Sequence, residues 1–384
     1  MARPDQTLPA DIRSLTALRF FAALMVVLFH FSDRAEPGSW LHNIVFRHGY
    51  LGVDLFFVLS GFILSHVYLR QMATGHFRYG QFLWNRLARL YPLHLVMLVL
   101  TALSGLVAAA SGVVPVATYG PQIGLDPATG AGVIGHGLSQ LMLLHAWGVD
   151  DRLYFNGPSW SISAEWFAYL LFPLFAAVAL MVARRPALAL GVGLTGLATA
   201  EFASQALFGN SLTERTYDVA ILRVGPEFLL GCLAYAVLRH GEVPRPLIWP
   251  GLVGTLVAIG VALSGGLPLV AVPVLFVCLV VLVAEADRRH MLGAGGAPGS
   301  LVYLGEISYS TYMVHLLAGK IFFRAVGQLD GLDSHALPTP AILLGVVFVL
   351  AVSVFSYQLI ELPARRALRR TFGRDSATRP APAR

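Results

Sequence analysis

Arg19 and His30 bracket a wholly apolar stretch in LTALRFFAALMVVLFH. On an α-helix that separation is about 16 Å of rise and close to three full turns, so both ionisable groups share one face. The pattern suits an elongated ligand, with an anionic head at the arginine and a reactive end at the histidine. Taken alone, a terminal arginine that snorkels and a terminal histidine that caps a helix explain the same residues.

Other ionisable groups fall in similar settings. Asp54 opens the apolar run GVDLFFVLSGFILS, and Glu165 lies in PSWSISAEWFAYLLFP. Counting from the start of each run places both acids near the depth of His30. A carboxylate beside an imidazole fixes its tautomer and raises its basicity, as a general base requires. Ser161 lies four positions before Glu165, on the same helical face. In WNRLARLYP, Arg86 and Arg89 are three apart on one face, just before a further apolar run. Paired guanidinium groups at that spacing suit bidentate contacts to phosphate, although ordinary interfacial charge gives the same pattern. Arg223 and Glu227, in RVGPEFLLG, read as an internal ion pair that fixes packing. Tyr312 and His315, in ISYSTYMVH, are placed to line a cavity.

The elements that must position these groups are apolar helices. The chain has 384 residues, 56% hydrophobic and 12% charged. A soluble domain of this size carries roughly twice that charged fraction. Apolar runs near 15–31, 51–70, 92–110, 162–183, 187–208, 219–238, 247–264, 268–286, 301–325 and 339–360 have the length of bilayer spans. The expected fold is therefore all-α and integral to the membrane, with about ten transmembrane helices in one bundle. The first run, with further spans behind it and no clear cleavage site, reads as a retained helix. The piece at 133–146 is too short to span and reads as re-entrant or interfacial. The long, Gly- and Pro-rich connection 111–160 reads as a lid.

Charge sets the expected orientation. With the N-terminus inside, 20 of the 27 Lys and Arg fall on the inner side. They run from Arg3 and Arg13 to the basic tail ending at Arg384. The opposite loops carry acids instead: Asp126, Asp150, Asp151, Asp218, Asp330 and Asp333. By the positive-inside rule both termini are cytoplasmic. Cys232 and Cys278 read as small core residues, since two cysteines make no disulfide framework. No histidine has metal-ligand partners at suitable spacing, so no metal is expected. No nucleotide loop or nucleic-acid patch appears.

The six quoted stretches LTALRFFAALMVVLFH, GVDLFFVLSGFILS, RLARLYPLHL, PSWSISAEWFAYLLFP, RVGPEFLLG and ISYSTYMVHL together resemble the acyltransferase-3 family of integral-membrane acyltransferases, which includes O-antigen acetylases. Each is weak alone; all six in order are specific. The resemblance implies one acyltransferase-3 transmembrane domain over 1–363 and a basic, partly disordered cytoplasmic tail over 364–384. No counterpart of the C-terminal SGNH-type domain that some members carry is expected. The resemblance also implies a bacterial inner-membrane O-acyltransferase with no permanently bound cofactor. Acyl-CoA, by default acetyl-CoA, would be the donor. The acceptor would be a hydroxyl of a sugar, a cell-surface polysaccharide or a related glycosylated molecule. Arg19, Arg86 and Arg89 would hold coenzyme A, and His30 would act as general base. Glu165 or Asp54 would assist it, and direct transfer is favoured over an acyl-histidine intermediate. The rival class is a transporter or flippase of a glycan or small metabolite. It predicts internal repeats with broken helices at the midplane, and no repeat is evident between the halves.

Overall fold

The computed structural model describes residues 8–9, 11–110, 132–293, 296–330 and 336–377. Arg3, Asp126, Asp333, Arg379, Arg384 and the first part of the expected lid, 111–131, lie outside the described residues. The helices are α1 (Arg13–Ser32), α2 (Gly52–Ala73), α3 (Tyr79–Ala110), α4 (Val133–Leu141), α5 (Trp160–Leu170), α6 (Phe172–Val182) and α7 (Pro186–Phe208). They continue as α8 (Ala220–Leu238), α9 (Arg245–Leu263), α10 (Val272–Arg288), α11 (Gly299–Glu306), α12 (Ser308–Asp330), α13 (Thr339–Ser356) and α14 (Leu362–Ala377). Among the described residues the only β pairing is an isolated bridge between Ala35 and Leu337.

Among the described residues eight helices are long and apolar enough to cross a bilayer, or nine if the bent pair α5–α6 is one span. This is a multi-pass membrane protein. Large apolar side chains on α3, α7, α9 and α13, among them Leu103, Phe202, Val257 and Val347, face outward. In water such surface would drive association; in lipid it is the matching solvent.

Three expected spans differ in ways that shape the interior. The run at 162–183 is bent by 59°. Pro173 stands in the first turn of α6, where it lacks an N–H and restricts the residue before it, so the helix breaks at Leu171. The run at 301–325 is divided at Ile307 into α11 and α12. α12 has 23 residues but is more polar than the eight spans. The third span starts well before 92: α3 runs from Tyr79 straight through Pro92. Arg86 and Arg89 are therefore part of a helix inside the bundle, not a flank ahead of it.

The tightest crossing joins α2 and α8. A Cβ on Gly61 would stand 2.0 Å from the Phe228 carbonyl oxygen, and one on Gly231 would stand 2.1 Å from that of Val58. Only glycine lets two backbones approach so closely, a common device of membrane helix pairs. Cys232 is buried beside this crossing, whereas Cys278 is exposed on α10 and is not a core residue.

One end of the bundle is basic, with Arg70, Arg78, Arg288 and Arg365 at helix ends. There Ser14 Oγ donates to Asp287 Oδ1 at 3.0 Å, tying α1 to α10. α14 also lies at this end, docked on α3 through a 2.7 Å bond from Trp84 Nε1 to the Leu368 carbonyl. The helix runs on from α13 through a π-turn over Tyr357–Glu361 into α14.

Candidate active site

A cleft of about 120 Å³ opens between α1, α2, α3, α5 and α12. Arg19, Arg86, Arg89, Ser161, Glu165 and Tyr312 all line it. The fold thus brings together six of the residues singled out from sequence, drawn from four helices.

The charges in the cleft are unevenly satisfied. Glu165 Oε1 accepts from Ser60 Oγ at 2.6 Å and from Tyr169 Oη at 2.5 Å. The Arg19 guanidinium sits 6.0 Å from the Phe56 ring centre, and Arg86 is 6.0 Å from both Tyr68 and Tyr169. Arg86 Nε and Arg89 Nη2 are sealed from solvent with no hydrogen-bond acceptor. No salt bridge among the described residues involves Arg19, Arg86 or Arg89. A buried donor left unmade costs roughly 1–3 kcal/mol, more when charged. Two arginines with such donors, and Arg19 beside them without a salt bridge, make a ready site for a multiply charged anion.

His30 lies beyond the other end of this wall. From Arg19 the lining passes by Phe56 to Tyr312, whose ring centres are 6.1 Å apart. Tyr312 is 5.9 Å from His315, and His315 is 4.9 Å from His30. His30 Nδ1 lies 2.9 Å from the Val26 carbonyl oxygen and 3.2 Å from His315 Nε2. His315 Nδ1 lies 2.7 Å from the Tyr312 carbonyl oxygen.

Neither expected carboxylate hydrogen-bonds to His30. Asp54 takes a two-pronged contact from Arg223: Nε to Oδ1 at 3.0 Å and Nη2 to Oδ2 at 2.5 Å. Both side chains are buried, 0% and 1% exposed. The close α2–α8 crossing carries Arg223 to Asp54 rather than to Glu227, correcting the expected pair. Arg223 Nη1 also donates to the Arg215 carbonyl, and the Trp160 ring lies 5.4 Å from the guanidinium. Neither Glu227 oxygen has a hydrogen-bond partner.

Glu165 is displaced for a different reason. The segment before α5 is itself inside the protein: Asn156 Nδ2 donates to the Met313 carbonyl, and Ser159 Oγ donates to Gln140 Oε1. α5 therefore starts within the bundle. Tyr79, at the basic start of α3, donates to the Leu170 carbonyl at its far end. Counting from an assumed membrane surface put Glu165 too near His30; it lies with the arginines instead.

Further residues, to which the sequence assigns no site role, neighbour the cleft. Glu361, on the π-turn, accepts from Ser310 Oγ at 2.9 Å and faces Arg365 at 3.8 Å. Arg369, four positions after Arg365 on α14, comes within electrostatic reach of Arg86 and Arg89. The only signal was the i, i+4 spacing in ARRALRR, which reads equally as a solvated tail. Among the described residues no group of three or more His, Cys, Asp or Glu is placed to hold a metal.

Comparisons with known proteins agree with this architecture. A family model described as an acyltransferase domain matches residues 12–358. The acyltransferase MdmB of Streptomyces mycarofaciens is 29% identical over 403 aligned residues, covering 96% of this chain and 95% of that one. Protein 2 in the picA locus of Rhizobium radiobacter is 32% identical over 52% of this chain and all of its own length. A Staphylococcus aureus (strain COL) protein provisionally named an O-acetyltransferase is 30% identical over 27% of this chain and 16% of its own. No solved structure matches. The chain belongs to the acyltransferase-3 family and is an acyl-transferring membrane enzyme.

Proposed function

We propose that this enzyme moves an acyl group, acetyl by default, from acyl-CoA to a hydroxyl of a sugar, cell-surface polysaccharide or related glycosylated acceptor. The site would operate in a bacterial inner membrane, with the basic end of the bundle facing the cytoplasm. The observation that carries this reading is the set of three guanidinium groups without ion-pair partners, joined by an aromatic wall to His30. Arg19, Arg86 and Arg89 bind the phosphates of coenzyme A. The pantetheine arm follows Phe56 and Tyr312 and brings the thioester toward His30.

His30 then acts as general base. It removes the acceptor's hydroxyl proton as the oxygen attacks the thioester carbonyl carbon. The C–O bond forms, the C–S bond breaks, and the proton passes from His30 to the departing thiolate. The products are the ester and free coenzyme A. Direct transfer needs only one base in reach of both substrates, and the half-buried His30 provides it. Glu165 serves the donor end of the cleft, where it orders Ser60 and Tyr169 between the arginines. Asp54 serves the framework.

Calorimetry with acetyl-CoA on purified protein in nanodiscs tests the donor assignment. Saturable binding by wild type, weakened about 100-fold in the Arg86→Ala/Arg89→Ala variant, is the expected result. Failure of folded wild type to bind acetyl-CoA or longer acyl-CoAs would overturn it.

A further inference from the structure

We propose that His315 is a positioning residue for the base: it accepts the Nδ1 proton of His30 and so holds Nε2 of His30 bare and aimed for proton abstraction. The inference rests on the reading of His30 as general base, and it follows from which atoms can only accept.

A backbone carbonyl has no proton to give. His315 Nδ1, 2.7 Å from the Tyr312 carbonyl oxygen, must therefore carry a hydrogen. In a neutral imidazole the other nitrogen is then an acceptor, so His315 Nε2 presents a lone pair. That lone pair lies 3.2 Å from His30 Nδ1. His30 Nδ1 also lies 2.9 Å from the Val26 carbonyl oxygen. Both of its neighbours accept, so His30 Nδ1 must be the protonated nitrogen. Nε2 of His30 is left as the basic atom. It has no protein partner among the described residues, and His30 is half-buried rather than sealed.

The two acceptors do different work. The Val26 carbonyl lies one turn back on the same helix and sets the tautomer, but leaves the ring free to swing about that bond. His315 approaches from α12 and fixes the ring plane. His315 is itself fully buried and locked by its own bond to Tyr312, so it is a rigid reference. When His30 takes up a proton at Nε2, its Nδ1–H becomes a stronger donor and the bond to His315 tightens. The orienting role usually given to a carboxylate is here assigned to a second, neutral imidazole. This also accounts for a site in which neither Asp54 nor Glu165 touches the base.

The test compares His315→Met, which keeps bulk and leaves only a weakly accepting sulfur, with His315→Gln, whose amide oxygen restores a strong acceptor. Acetyl transfer, KM for acetyl-CoA and histidine ¹⁵N spectra are measured on purified protein. His315→Met is expected to lower kcat about 100-fold, the scale of a mispositioned general base, with KM for the donor unchanged. His315→Gln is expected to recover most of that loss. In a His30→Ala background, His315→Met should cost nothing further, because it acts only through His30. The spectra, assigned by difference against His30→Ala and His315→Met, should show an unprotonated Nε2 on both rings. Wild-type turnover matched by both His315 variants would overturn the inference and leave the acyltransferase reading intact. A protonated Nε2 on either ring would overturn it as well, and that result holds even if wild type fails to use acyl-CoA.

Discussion

Two groups of charges share this bundle and are treated in opposite ways. Asp54 and Arg223 close on each other: two contacts, no solvent, and a third bond from Arg223 to the Arg215 carbonyl. Arg19, Arg86 and Arg89 line a cleft with none of these contacts, and two of their nitrogens are sealed without an acceptor. A charge that has found its partner inside the protein is framework. A charge held at membrane depth without one is a site waiting for a ligand. The distinction sorts the acids too, since the Asp54 carboxylate is occupied by Arg223 while Glu165 lies inside the open cleft.

The contrast is broken most severely at the closed pair. Arg223→Met leaves Asp54 buried and uncompensated, and should destabilise the protein by about 3–5 kcal/mol. Thermal unfolding in detergent measures this, and adding Asp54→Asn should recover a large part of the loss. The open group should respond the other way. Arg86→Ala with Arg89→Ala should leave the unfolding temperature unchanged or raised. It should weaken acetyl-CoA binding about 100-fold, as expected for two charge-assisted bonds of about 1.5 kcal/mol each. Equal destabilisation by both sets would erase the distinction.

Smaller effects sharpen it. Glu165→Ala strands the Ser60 and Tyr169 hydroxyls, and steady-state kinetics should show a loss of about tenfold in kcat/KM. Glu165→Gln keeps an acceptor for those hydroxyls and should lose much less. At the rim, Arg369 is exposed on α14. Arg369→Ala should weaken acetyl-CoA binding only about two- to threefold, an effect that added salt removes.

The local features of this fold were legible in the sequence. Apolar runs announced an all-helical membrane protein, and α1 is unbroken from Arg13 to Ser32, so Arg19 and His30 keep their separation along one helix. Spacing also flagged Arg86 and Arg89. What stayed hidden were relations between distant segments. His30 and His315 meet across 285 positions, and Asp54 meets Arg223 across 169; no local pattern encodes either. Depth was misjudged where the membrane surface was assumed to mark a helix start. α5 begins inside the protein, so Glu165 lies with the arginines. Likewise, what reads as a short surface helix after Leu362 docks on α3 through Trp84.

The most direct test of the account separates base from binding site in one variant. His30→Ala, purified and folded, is assayed for acetyl transfer to an acceptor that wild type uses, with acetyl-CoA affinity measured on the same preparation. The account predicts transfer lost by at least about 100-fold with donor affinity unchanged. Normal transfer by His30→Ala would show that the base lies elsewhere and contradict the central claim.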